Sequence, residues 1–276
     1  MERTSGILGW SRWIAGWWSL PIHAQDGAEF PPFLGCWAAS GSVARASDIA
    51  LADKRVRADR TLLEWRDFGA GASDEGRMRQ TAVADLAATA STDARKGRWL
   101  SGATRAVSEW RGGAIRILEL GTCLGAGADH LLSGAGEGSE YLGLEGSEEL
   151  AGITRSRLSR HAEQGKGVRI ESGPFSKTLP MVLEGDPQFD VVFIDGRHEG
   201  EVLLEQVRSL QSVLAPGACV IIDDIRWSGD MFRAWRGLCA WPGAASLDLF
   251  RMGIWIRPDL HRPTKATMRP KWWQRA

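Results

Sequence analysis

From Ile115 onward the chain repeats one unit: a short apolar run, a turn and a helical stretch. Ile115–Leu120, Tyr141–Glu145, Val168–Glu171, Phe189–Asp195 and Ala218–Asp223 read as strands, with helices near 126–134, 147–163, 201–214 and 228–239. The best of these strands, such as Val191-Val192-Phe193-Ile194, are continuously apolar rather than alternating. Such a strand has no face to offer water, so it belongs in a parallel sheet covered by helices on both sides. Leu247–Phe250 and Gly253–Ile256, parted by Arg251-Met252, suggest an antiparallel hairpin at one edge. The pattern predicts an α/β fold built on a doubly wound, mostly parallel sheet of seven strands.

The stretch before this repeat reads as helical. Ile7, Trp10, Trp13, Ile14 and Trp17 recur along one helix face. A helix docked on the core or on a second subunit fits that spacing, with a helix lying on a membrane surface as the alternative. Arg12 within the apolar run and Glu2 ahead of it argue against a secretory leader. Residues 21–46 read as irregular, and Ser47-Asp48 opens a helical stretch through about Arg66. A loop at 67–73 leads to a second helix near 75–90. Thr92 or Asp93 caps a third, with Trp99, Leu100, Ala103, Val107 and Trp110 on one face. The expected boundaries are a helical, Trp-rich extension at 1–110, the sheet domain at 111–257 and a basic tail at 258–276. The extension is expected to serve as a lid or a homodimer contact.

Charge and cysteine content narrow the function classes. With 34 basic and 34 acidic side chains the net charge is zero, which disfavours nucleic acid or an anionic membrane as the partner. Arg257, Arg262, Lys265, Arg269, Lys271 and Arg275, with Trp272-Trp273, form a basic end that reads as solvated tail or dimer contact before RNA contact. The four cysteines never pair as C-x-x-C, so neither a disulfide framework nor a zinc ribbon is expected, and a reducing cytoplasm fits.

Chemistry concentrates at the ends of the strands. Glu119-Leu120-Gly121-Thr122-Cys123-Leu124-Gly125 places a carboxylate on the first strand and two glycines four residues apart before a helix. Glycines there let backbone approach a ligand, and the helix N-terminus adds free N–H groups. A carboxylate at this turn repels a dinucleotide pyrophosphate and suits a ligand with an amino-acid head group. Glu145, at the end of the next strand, is placed to accept from two ribose hydroxyls, or simply to favour the following helix N-terminus.

Together these residues resemble the class I S-adenosylmethionine-dependent methyltransferases, in particular their small-molecule O-methyltransferase branch. Glu119-Leu-Gly-Thr-x-x-Gly125 is similar to the first motif of that family, and Glu145 to its ribose-binding acid. Phe193-Ile194-Asp195-Gly196-Arg197-His198 resembles the fourth-strand motif. Leu214-Ala215-Pro216-Gly217 followed by Val220-Ile221-Ile222-Asp223-Asp224 resembles the turn and strand that come next. The resemblance implies a Rossmann-like domain with S-adenosylmethionine as cofactor and a small-molecule acceptor. By resemblance, Gly121, Thr122 and Gly125 flank the methionine part, and Glu119 lies near its amino group. Glu145, with Gly146 and Ser147, would hold the ribose, and Gly173, Pro174 and Phe175 would border the adenine. Asp195 is carried over as both cofactor-binding and catalytic. Ser172 and Ser176 are the nearest polar side chains where the family often has an acid or amide.

His198, with Asp195, is the expected catalytic pair: methyl transfer to a hydroxyl needs alignment and a base for the leaving proton. The plainer alternative has His198 capping or packing against the next helix. Asp195, Asp223 and Asp224 end adjacent strands and are the candidates for a Mg²⁺ or Ca²⁺ ion. Catechol-type enzymes have an Asp-Asn pair where this chain has Asp-Asp, and it lacks their lysine two residues after Asp195, so metal use is the less favoured reading. Two rivals stay open: a non-catalytic binding or assembly protein of the same fold, and a nicotinamide-dependent oxidoreductase.

Overall fold

A computed structural model describes residues 22–24, 46–185 and 187–257. The expected Trp-rich helix at 7–17 and the basic tail at 258–276 lie outside the described residues.

The sheet domain carries the seven expected strands: β4 (Arg116–Leu120), β5 (Glu140–Glu145), β6 (Gly167–Ser172), β7 (Phe189–Ile194), β8 (Leu214–Asp223), β9 (Ala245–Asp248) and β10 (Met252–Ile256). An eighth, β1 (Ile22–Ala24), pairs antiparallel with β9 at the edge, in a stretch read from sequence as irregular. The order across the sheet is β1-β9-β10-β8-β7-β4-β5-β6. Strands β6, β5, β4, β7 and β8 run parallel, and β10 is antiparallel to both β8 and β9. The order reverses between β4 and β7. In an open α/β sheet that point opens a crevice beyond the strand ends.

Period-two alternation along the buried strands splits the core in two. Ile117, Val191, Phe193 and Ile221 face α3 (Ala94–Arg111), α4 (Ala126–Gly134) and α5 (Glu148–Ala162), where Leu100, Val107, Leu131 and Leu158 fill the layer. Leu118, Val192, Ile194, Val220 and Ile222 face α6 (Phe175–Glu184), α7 (Gly200–Leu210) and α8 (Gly229–Cys239), packing on Val182, Val207 and Trp235. The sequence pattern gave no sign of α6, which carries Pro180 inside it. Trp235 and Trp255 are fully buried, each with its indole N–H satisfied, by Asp248 Oδ2 at 3.2 Å and by the Leu238 carbonyl at 3.0 Å. Among the described residues no helix is long and apolar enough to cross a membrane.

The chain before the sheet corrects the all-helical reading. After α1 (Ala46–Ala58), residues expected to continue as helix form an antiparallel hairpin of β2 (Leu62–Asp67) and β3 (Arg77–Ala82). Leu63 and Trp65, two apart, both turn inward, a strand spacing that the adjacent Leu62 disguises. Trp65 then packs with Val83 and Leu86 of α2 (Val83–Ala90) against Leu124 and Leu150. Helix α3 is capped by Asp93, whose side chain accepts from Arg95 N at 2.8 Å and Lys96 N at 2.9 Å. Its Leu100, Ala103 and Val107 are core residues of the sheet domain itself.

A buried charge network ties α1, α4 and α5 together. Asp129 accepts from Arg157 Nε at 3.0 Å, lies 2.7 Å from His161 Nε2 and pairs with Arg160; Arg157 also pairs with Asp53 of α1. Burial works against the charge, but His161, Arg160 and Arg157 overcome it and hold the carboxyl at about 2, below its ordinary 3.8. Removing that charge strands buried cations, so Asp129→Asn is expected to lose about 3–5 kcal/mol in urea melts at pH 7. Because the folded pKa is depressed, the contribution is complete above 3.8 and fades as pH falls through about 2. Melts repeated from pH 5 downward should therefore converge for the two proteins.

Candidate active site

The site begins where β4 and β7 end side by side. Asp195 N donates to the Leu120 carbonyl at 2.9 Å, and Gly121 N donates to the Leu144 carbonyl at 2.9 Å. Gly121 has φ 93°, and a Cβ there would lie 2.5 Å from the Asp195 carbonyl oxygen, so only glycine fits. The loop closes with Gly125 at φ 73°, which caps α4.

Glu145 holds this loop from the neighbouring strand. Its carboxylate accepts from Cys123 N at 2.7 Å and from Ser147 N at 3.0 Å. Burial raises its pKa, opposed chiefly by those backbone donors. The Gly146 amide and the Thr122 hydroxyl also bear on this carboxylate.

Glu119 is buried at the end of β4 and accepts from the Tyr141 hydroxyl at 2.5 Å. Burial lifts its carboxyl from an ordinary 4.5 to about 8; the Tyr141 hydrogen bond pulls it down and the Glu145 charge adds to the rise. A Cβ on Gly127 would come within 2.6 Å of its Oε1, so the first turn of α4 rests directly on the carboxyl. Glu119, Thr122 and Asp195 line one cleft, joined by Ser91 and Thr92 from the turn between α2 and α3.

The remaining expected residues gather at the same sheet edge. Gly173 and Pro174 lead into α6, and the Phe175 ring stands where a Cβ on Gly196 would lie 2.8 Å away. Ser172 hydrogen-bonds to Glu148, and Ser176 is exposed. On Gly146 a Cβ would meet the Phe68 ring at 2.4 Å. Phe68 belongs to the loop between β2 and β3, which also reaches the far side: Gly71 N donates to Glu199 Oε1 at 3.1 Å, and Asp74 lies 3.5 Å from Arg197. That loop spans from the end of β5 to the end of β7.

Past β7, His198 Nε2 lies 3.9 Å from Asp195 Oδ1, too far for a hydrogen bond, and its ring meets Trp227 at 5.4 Å between centroids. Trp227 is 62% exposed. Burial lowers the His198 pKa, with Asp224 and Asp223 opposing, so the imidazole is neutral at neutral pH. Asp195 is pushed well above the carboxylate range, by burial first and by the Asp223 charge second. Asp223 and Asp224 are gathered beside them, but Lys96 Nζ stands between the two, 2.6 Å from Asp223 Oδ2 and 3.0 Å from Asp224 Oδ1. Among the described residues no group of three or more His, Cys, Asp or Glu side chains is arranged to hold a metal ion.

Lys96, Tyr141, Phe68 and Trp227 were given no part in the site from sequence, although Asp67-Phe68-Gly69-Ala70-Gly71 and Lys96-Gly97-Arg98-Trp99 resemble stretches of the leader in a bacterial subgroup. Only Lys96 left a usable signal: it sits four residues before Leu100, in line with the apolar face of α3.

Residues 118–225, within this sheet, match the family model described as a methyltransferase domain. Over 112 residues the chain is 34% identical to catechol O-methyltransferase of Mycobacterium tuberculosis, a match covering 41% of this chain and 49% of that protein. The chain thus spans about half the length of this curated relative. Among solved structures, an O-methyltransferase from Bacillus cereus in complex with SAH aligns with TM-score 0.56 and 19% identity over 81% of this chain and 97% of that one. The SAH-bound Podospora anserina methyltransferase aligns at 0.55 and 18%, over 81% and 93%. These two likenesses show the shared fold.

The Glu119 carboxyl yields a stability test. Its folded pKa lies above the unfolded one, so the folded chain holds a proton that the unfolded chain loses between 4.5 and 8. Unliganded stability is expected to fall across that window by up to about 1.4 kcal/mol per pH unit, then level off. Glu119→Gln should lack that slope in parallel denaturant melts.

Proposed function

We propose that this chain transfers a methyl group from S-adenosylmethionine to a hydroxyl oxygen of a small molecule. One observation carries the reading: two buried acids, Glu119 and Glu145, end adjacent parallel strands on either side of the Gly121–Gly125 loop. The donor set fits the cofactor. Glu119 is a buried carboxyl with one neutral partner, suited to an amino group, and Glu145 ends the adjacent strand, where its carboxylate would take ribose hydroxyls. Gly173, Pro174 and Phe175 would border the adenine, with Phe68 against Gly146 closing the ribose side. The carboxylate at the turn disfavours a nicotinamide dinucleotide.

When bound, the cofactor supplies a sulfonium-activated methyl group. The chain's own part is to hold the acceptor oxygen in line and take its proton. His198, neutral and beside Asp195, receives the proton from the acceptor hydroxyl. Trp227 offers an exposed aromatic face next to that imidazole, which favours an apolar or aromatic acceptor. The free thiols Cys123, Cys219 and Cys239 accord with a cytoplasmic site of action.

Calorimetric titration with S-adenosylhomocysteine tests the site. Micromolar binding is expected in the wild-type chain and none in Glu145→Ala. An amino group bound at Glu119 requires the ionised carboxylate, so below about 8 binding should release a proton and strengthen with pH. No heat from the folded wild-type chain overturns the reading. Against a panel of phenols with labelled cofactor, His198→Ala is expected to lower kcat by about 10²–10⁴-fold. Trp227→Ala is expected to act mainly on KM.

A further inference from the structure

We propose that Lys96 is the resident cation of the acceptor end, filling with its ammonium the place between Asp223 and Asp224 that a divalent metal would need. The inference rests on the methyltransferase reading only for calling this the acceptor end. Its geometry stands apart from that reading.

Three of the four carboxylate oxygens of Asp223 and Asp224 have a partner already. Asp223 Oδ2 is 2.6 Å from Lys96 Nζ, and its Oδ1 accepts from Asp224 N at 2.8 Å. Asp224 Oδ1 is 3.0 Å from the same Nζ and 3.8 Å from Arg251 NH2. The two Nζ contacts are charge-assisted hydrogen bonds, and the ammonium occupies the space between the two carboxylates. Mg²⁺ or Ca²⁺ would require at least six oxygen ligands there. The lysine side chain is 7% exposed and that of Asp223 4%, so this is a buried arrangement and not a surface ion pair.

The local structure is built to keep the ammonium in place. Lys96 lies in the first turn of α3, where Asp93 takes its backbone N–H. The next residue is Gly97, and a Cβ there would lie 2.2 Å from His130 Nε2, so the helix is seated against α4 as closely as glycine permits. From the other side, Asp224 takes a left-handed backbone, φ 45°, and accepts from Lys96. Arg251 completes the balance, pairing at 3.1 Å with Asp93, the residue that caps the lysine's own helix. Two cations, Lys96 and Arg251, thus stand against the carboxylates of Asp223 and Asp224, beside Asp195 and His198. Burial of an unpaired carboxylate is costly, so the position demands a cation, and a side chain supplies it.

The test is manganese binding, read without any methyl donor. Metal-stripped wild-type chain, titrated with MnCl₂ by calorimetry and electron paramagnetic resonance, is expected to bind nothing tighter than about millimolar. Lys96→Met, which keeps the aliphatic stem, should gain Mn²⁺ affinity by at least about tenfold, and Lys96→Met/Asp223→Asn should lose that gain. A structural lysine alone would not move this readout. Micromolar Mn²⁺ binding to the wild-type chain that Asp223→Asn removes would overturn the proposal. So would a folded Lys96→Met chain that binds Mn²⁺ no better than wild type. If Lys96→Met does not fold by circular dichroism, the wild-type and Asp223→Asn titrations decide alone. Binding of S-adenosylhomocysteine is measured separately, so failure of the cofactor reading leaves these outcomes intact.

Discussion

The close approach of β4 and β7 governs the rest of the molecule. The strand order turns back between them, so their loops leave toward opposite faces and open a crevice. Backbone pairing persists to the lip of that crevice, through Asp195 N to Leu120 O and Gly121 N to Leu144 O. Glu145 and Asp195 thereby leave their strands level with Gly121, and Glu119 lies two residues back along β4. A side chain at Gly121 would force the two strands apart at the Asp195 carbonyl and open this arrangement.

Holding carboxyls in a buried edge raises the question of what keeps each one there. Asp129 is held by three cationic or hydrogen-bonding partners and is pulled down to about 2; its demand is met within the fold, which marks it as structural. Glu119 goes the other way, up to about 8, because burial outweighs the one phenol that bonds to it. A buried acid whose partners do not suffice is one that a ligand can complete, and that contrast separates site from scaffold. Glu145 lies between the two, held by backbone amides that let it organise the loop.

Most of the sheet was legible because apolar runs such as Val191–Ile194 admit few alternatives. The edge hairpin followed from the same signal, and so did the residues at strand ends, since the sheet itself places them, whereas β8 starts at Leu214, four residues ahead of the expected strand, and β9 at Ala245, two ahead. What escaped notice depends on contacts far apart in sequence. The hairpin of Leu62–Asp67 with Arg77–Ala82 is settled by Trp65 meeting Leu124 and Leu150, and local spacing over 62–66 is equally consistent with a helix. Phe68 has no meaning until Gly146 is opposite it, and Tyr141 reads as an ordinary strand residue until its hydroxyl finds Glu119. Strand β1 is only three residues long, too short for any periodicity.

The segment before the sheet therefore does more than cover a site already complete. Its α3 helix belongs to the core, its β2–β3 loop reaches from Gly146 to Glu199, and its Lys96 enters the carboxylate cluster. If the ammonium stands where a metal would, the acceptor end loses a chelating centre and keeps a fixed positive charge. A divalent ion can draw two neighbouring oxygens of one acceptor into its shell; a lysine with two of its three hydrogens committed to Asp223 and Asp224 cannot. Selection of the acceptor then falls to shape and to a single hydroxyl, between the imidazole of His198 and the exposed face of Trp227. On that reading the sheet sets the position of the methyl donor, and the elements before it determine which hydroxyl is presented.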